Sequence, residues 1–332
     1  MRVFGRRRYP DLEAAGVESS RGDLSNFPAL RSAARGAAVV FHTAAVSGVA
    51  GPWNRYAEPN IHGALNVLSA ALSEKVGRFV HTSTPSVVYG RGDIDGGDES
   101  LPYPERHLCA YAATKALAER AILRADGPDI RTVALRPHLI WGPGDNHLLP
   151  TLLERAEAGR LRRVGGGRNR VSVSYVENVA DAHLAACDAL GRDPETVGGR
   201  AYFINDDDPV NCWDFISDFL NRCGARPPTR GVSAGAAYAA GALQEAWAAL
   251  RRWKYEPTMT RFLALQLSTT HWFHNEAAKR DLGWTPAAPR EEGWKRTLAD
   301  LKALRRRRAE AWLASREKSR RSPAVSGSGK AR

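Results

Sequence analysis

Tyr111 and Lys115 are four residues apart in Tyr111-Ala-Ala-Thr-Lys115, inside a stretch whose composition predicts a helix over 110–125. Residues at that spacing share one helix face, so phenol and ammonium rise together, one turn apart. A phenol ionises at about pH 10 and needs help to trade protons at neutrality. A nearby ammonium favours the phenolate, which suits the pair to proton transfer at a substrate oxygen. Alone, the spacing is weak, because exposed helices carry an amphipathic tyrosine often by chance. Its context adds weight: His81-Thr-Ser-Thr-Pro-Ser-Val-Val-Tyr-Gly90 places Ser83, Thr84 and Ser86 just past a predicted strand. A hydroxyl at the carboxyl edge of a parallel sheet can bond the same substrate oxygen and stabilise the charge that develops on it.

These side chains need a frame. Val39 to Ala45 reads as a β-branched strand ending in small residues, and Arg78 to Ser83 and Arg131 to Arg136 as two more, the last closed by Pro137. Between them, Asn60 to Ala71 shows helical apolar spacing at Ile61, Ala64, Leu65 and Leu68. Apolar strands alternating with helices predict an α/β, doubly wound parallel sheet covered on both faces. After Pro143 the rhythm turns to helices near 148–158, 179–190 and 212–222 and a long apolar stretch over 234–253, with short strands over 171–175 and 201–205. The division expected is a dinucleotide-binding domain over 1–145, rejoined in part by 171–205. A smaller, mostly helical substrate lobe takes 146–170 and 206–301. Six of nine tryptophans lie within 206–301, which suits either the core of that lobe or one wall of an apolar pocket.

Charge and composition exclude several classes. The net charge of +12 is concentrated in 302–332, where 11 basic and 2 acidic side chains supply +9. The remainder of the chain is near neutral, so no specific nucleic-acid site is expected, and 302–332 is expected to be a basic, mostly disordered tail. Cys109, Cys187, Cys212 and Cys223 lack the paired spacing of a zinc or redox motif. No metal site is expected, and reduced thiols imply a cytoplasmic setting. No apolar run approaches the roughly 18 residues of a membrane span.

Taken in order, Thr-Ser-Thr, Val-Tyr-Gly, Tyr-x-x-x-Lys, Leu-Arg-Pro and Trp-Gly-Pro-Gly resemble the extended short-chain dehydrogenase/reductase family over about residues 1–300. Arg136-Pro-His-Leu-Ile-Trp-Gly-Pro-Gly-Asp-Asn-His147, Gly165-Gly-Gly-Arg-Asn-Arg170, Tyr175-Val-Glu-Asn-Val-Ala-Asp-Ala-His183 and Met259-Thr-Arg-Phe-Leu263 resemble its 3β-hydroxysteroid dehydrogenase-like branch, especially the reductases of bacterial olefin biosynthesis. The resemblance implies a nicotinamide-dependent reductase converting a 2-alkyl-3-oxoalkanoate to the 2-alkyl-3-hydroxyalkanoate. A 3β-hydroxysteroid dehydrogenase and a nucleotide-sugar epimerase or dehydratase stay open as alternatives. It makes Tyr111 the general acid, Lys115 its electrostatic partner and Thr84 the hydroxyl that serine usually supplies. For the cofactor it implies Arg6, Asp23 and Leu24 at the adenosine end, Thr43, Ala44 and Ala45 along its length, and Pro137, Leu139 and Ile140 at the nicotinamide, with Tyr111 and Lys115. Arg6, Arg7 and Arg8 stand where an acidic residue would select NAD, so NADP(H) is favoured over NAD(H). A homodimer and an assembly with other lipid-pathway enzymes are left open.

One unit of that family's pattern is missing. No strand, glycine-rich turn and helix precede Arg6, so the sheet is expected to lack its first βα unit, whose strand is the central one. A start partway into a longer chain is preferred over a nonfunctional remnant or a noncatalytic binding protein. In each case the grip on a cofactor pyrophosphate is expected to be poor.

Overall fold

The computed structural model describes residues 1–321. Six strands carry the frame: β1 (Arg2–Gly5), β2 (Glu18–Arg21), β3 (Val39–His42), β4 (Arg78–Thr82), β5 (Arg131–Pro137) and β6 (Arg200–Ile204). The last four form one parallel sheet in the order β6-β5-β4-β3. β1 and β2 form a separate parallel pair. Among the described residues, β3 pairs with β4 alone and β1 with β2 alone, so the sheet is interrupted where its central strand was expected to be absent.

Alternation along the strands divides the core in two, because successive side chains point to opposite faces. On one face Val80, Val133 and Leu135 pack with Ala182, Ala186 and Leu190 of the Val176–Arg192 helix. On the other, Phe79 packs with Leu68, Ala71, Ala118 and Ile122, from the helices Ala64–Ser73 and Ala110–Arg124. The first of these is the last part of a longer helical run from Trp53, widened by a π-turn over Glu58–Gly63. The strand expected over 39–45 stops at His42, leaving Thr43, Ala44 and Ala45 as an exposed ledge beyond it.

A second core gathers Trp141, Tyr175, Trp213, Phe219 and Trp294, with the Trp141 and Trp294 rings 4.3 Å apart. Trp213, Trp284 and Trp294 are thus core residues, while Trp247 is 53% exposed. A small sheet missed by the sequence joins Ile94–Gly97 to His271–Phe273, and through it to Arg170–Val171 and Val210–Asn211. The chain over 302–321 is helical rather than disordered, because the helix that begins at Arg290 runs on to Arg321. Alanine, leucine, arginine and glutamate there are good helix formers, and Arg306 and Glu310 pair one turn apart at 3.7 Å. The rest of the expected tail lies outside the described residues. No helix among the described residues is long and apolar enough to cross a membrane.

Candidate active site

The Ala110–Arg124 helix starts directly after Cys109, whose backbone is extended, and this projects Tyr111 from the first turn toward the end of β4. Thr84 follows β4 in extended conformation and caps the turn Pro85–Val87, accepting from the Ser86 amide at 3.2 Å. Of the three hydroxyls in this stretch, Thr84 is the one that acts on the Tyr111 phenol. Ser86 is bonded to Thr84, and the Ser83 hydroxyl is buried without a partner. Burial pushes the Tyr111 phenol up to about 12, and the Thr84 hydroxyl opposes that rise.

Lys115, one turn beyond Tyr111, is turned toward β4. Its buried ammonium donates to the Thr82 carbonyl at 2.6 Å and lies 3.3 Å from His81 Nε2. Burial lowers its pKa to about 8, opposed by Glu119 one turn on. Lys115 thus shares a helix face with Tyr111 while its ammonium is bonded to a strand carbonyl and lies beside an imidazole of β4. His42 and His81 stack with ring centroids 5.4 Å apart, and both are held neutral, first by burial and then by the charge of Lys115.

The residues assigned to a cofactor are placed as follows. Thr43, Ala44 and Ala45 are exposed, and the loop is pinned by Asn60, which bonds the Val46 amide at 2.8 Å and its carbonyl at 3.0 Å. Asn60 also donates to Thr114, tying the ledge to the helix of Tyr111. Leu24 is held by Asn66 through its carbonyl at 2.9 Å, and Gly63 makes room for its side chain, since a Cβ there would lie 2.8 Å from Leu24 Cδ1. That contact accounts for the spacing Asn60-x-x-Gly63-x-x-Asn66. Asp23 is exposed and bonds the amide and hydroxyl of Ser25, which hold its carboxyl below the ordinary range with a smaller contribution from Arg6. Arg6 is exposed past the end of β1, whereas Arg8 is taken by Glu13. Past β5, Pro137 is buried and Ile140 exposed, and Leu139 adopts φ of 42°, a left-handed conformation that a leucine side chain disfavours. Backbone strain of this kind concentrates at functional sites.

Several neighbours were not anticipated. A cleft of about 450 Å³ is lined by Tyr56, Cys109, Ala110, Trp253 and Arg261 among others. Tyr56 donates to the Ala50 carbonyl at 2.6 Å and meets the Tyr111 ring edge-on at 6.3 Å. Its place four residues ahead of Asn60 was the available signal. Among the described residues no cluster of His, Cys, Asp and Glu could hold a metal ion. The four cysteines are unpaired. A half-buried phenol near a second hydroxyl, next to the cleft residues Ala110 and Tyr56, can deliver a proton to a carbonyl oxygen and stabilise the charge on it.

Comparison with known proteins identifies the family of the chain. The 3-beta hydroxysteroid dehydrogenase/isomerase family matches over residues 3–232. The chain is 42% identical to the 2-alkyl-3-oxoalkanoate reductase of Stenotrophomonas maltophilia, over 91% of this chain and 92% of that one. It is 33% identical to the human sterol-4-alpha-carboxylate 3-dehydrogenase, decarboxylating, over 86% of this chain and 78% of that one. Among solved structures it resembles the dTDP-glucose 4,6-dehydratase DesIV of Streptomyces venezuelae, with a TM-score of 0.65, 21% identity, and coverage of 91% and 87% of the two chains. That last likeness is one of fold.

Proposed function

Because the chain belongs to the 3-beta hydroxysteroid dehydrogenase/isomerase family, whose members are NAD(P)-dependent oxidoreductases, we propose that it reduces a 2-alkyl-3-oxoalkanoate to the 2-alkyl-3-hydroxyalkanoate. The observation that carries the reaction type is the Tyr111 phenol, with the Thr84 hydroxyl acting on it and the cleft residues Ala110 and Tyr56 beside it. Tyr111 is a protonated phenol at neutral pH and donates its proton to the ketone oxygen. Thr84 holds the same oxygen. The small residues of the lining, Ala110, Ala242, Ala246 and Ala249, leave room for alkyl chains. We place the enzyme in the cytoplasm, where its unpaired thiols stay reduced.

A nicotinamide cofactor, when bound, supplies the hydride. The reacting end of such a nucleotide would lie on the exposed ledge Thr43–Ala45, which offers a surface without bulky side chains at the carboxyl end of β3, with the left-handed Leu139 past the end of β5. The exposed guanidinium of Arg6 supports a preference for the 2′-phosphate of NADP(H). Tyr111→Phe keeps the ring and removes the proton donor. It is expected to lower turnover of a 2-alkyl-3-oxoalkanoate by about 10²–10⁴-fold with the circular dichroism spectrum unchanged. Turnover that survives the substitution would overturn the reading.

A further inference from the structure

The cleft beside Tyr111 is apolar or small-sided at all but a few positions, and its charged lining residues are Glu245 and Arg261. An ion pair in such a wall is poor evidence of stabilisation, because removing both charges from water offsets much of their attraction. Its geometry is also lopsided. Both oxygens of Glu245 are spent on Arg261: one accepts from the Arg261 amide at 2.7 Å, the other from Nε at 2.7 Å, with Nη2 also at 2.7 Å. A guanidinium has five N–H donors. The pairing with Glu245 leaves donors over, on a side chain that is 41% exposed.

The surroundings fix Arg261 rather than merely tolerate it. Arg261 opens the helix Arg261–Gln266, capped by Thr260, whose hydroxyl accepts from the Leu263 amide at 3.0 Å. A cation at a helix amino end stands against the local dipole, so it needs a counter-charge to remain there. The helix Ala234–Leu250 presses on this point through Gly241, where a Cβ would lie 2.5 Å from the Thr260 carbonyl carbon and 2.7 Å from the Arg261 amide. Glu245 follows Gly241 by one turn, so the same helix sets the position and supplies the counter-charge.

We infer that Arg261 receives the substrate carboxylate, with Glu245 as the brace that aims its guanidinium. The inference rests on reading the substrate as a 3-oxo acid, and it deepens that reading. The names of two relatives share one chemical feature: a 2-alkyl-3-oxoalkanoate and a sterol-4-alpha-carboxylate oxidised at carbon 3 each carry the carboxylate on the carbon next to the reacting one. A ketone oxygen at Tyr111 keeps the carboxylate only a few bonds away, and the cleft that Arg261 lines is also walled by Ala110, next to Tyr111 in the chain, and by Tyr56, whose ring meets that of Tyr111. A planar guanidinium is suited to that group.

The test measures binding to the full chain of a long-chain 2-alkyl-3-hydroxy acid and of its methyl ester, followed by tryptophan fluorescence, since Trp253 lines the cleft. The unmodified protein is expected to prefer the acid. Arg261→Gln is expected to weaken the acid about tenfold or more and leave the ester unchanged. Arg261→Lys, which keeps the charge without the fork, is expected to fall between, and it carries the test if the glutamine variant does not fold. Equal losses for acid and ester, or no loss for either, overturn the role of Arg261 while the substrate reading stands. If the unmodified protein binds neither probe, the substrate reading fails first and the inference falls with it.

Discussion

The Lys115 ammonium donates to the Thr82 carbonyl at 2.6 Å, so a charge four residues from Tyr111 is spent on the neighbouring strand. Burial brings its folded pKa to about 8, below the ordinary value of 10.5 that the unfolded chain restores. Between those values the unfolded state holds the extra proton, so this lysine makes stability rise as pH rises from about 8 toward 10.5. The full window corresponds to about 3 kcal/mol. Lys115→Met should remove that rise, and urea unfolding at pH 7.5 and pH 10 checks it. An identical pH dependence in both proteins would show that the lysine is not titrating there.

Thr84 and its neighbours separate chemistry from packing. Thr84→Ala removes the hydroxyl that acts on the Tyr111 phenol and is expected to lower kcat by about 10²-fold. Ser83→Ala removes a buried hydroxyl that has no partner and should leave kcat near its original value, with stability unchanged or slightly higher. The reverse ranking in steady-state kinetics would move the role to Ser83.

How much of this was legible follows from which contacts are local. Apolar strands and helical spacing are short-range signals, so the doubly wound sheet and the helices Leu148–Glu157 and Cys212–Arg222 could be read closely. The shared face of Tyr111 and Lys115 followed from spacing alone. The direction of the Lys115 ammonium did not, because it is decided by a carbonyl 33 residues away in sequence. The pairing of Arg261 with Glu245 depends on two helices meeting at Gly241, and no periodicity announces it. Composition misled at 302–321, where a high density of positive charge was weighed above good helix propensity.

Arg136 and Glu119 form a buried pair, with side chains 3% and 0% exposed and Nη2 2.7 Å from the carboxylate. Tyr103 donates to the same carboxylate at 2.6 Å. Glu119→Leu strands a buried guanidinium and is expected to destabilise by about 3–5 kcal/mol. Replacing both partners, Glu119→Leu with Arg136→Met, should recover much of that loss. Chemical denaturation of the three variants tests the coupling, and additive losses would show that the two charges act independently.

The interrupted sheet leads to the last prediction. β1 is tied by Arg2 to the carbonyls at the end of the helix Phe27–Ala34, the shortest contact being 2.6 Å to Ala33. That helix packs on Ala64–Ser73, which flanks β3. The two sheets are thus held by helices while β1 and β3 each keep an unpaired edge. Unpaired edges leave backbone donors and acceptors without partners, and a parallel strand is the element that satisfies them. A strand, glycine-rich turn and helix fused ahead of Met1 would add that pairing and a helix amino end for a pyrophosphate. The fusion is expected to raise the melting temperature by several degrees and tighten NADPH binding about tenfold or more. Calorimetry of both proteins decides it: unchanged melting and unchanged affinity would mean that the edges do not accept a strand.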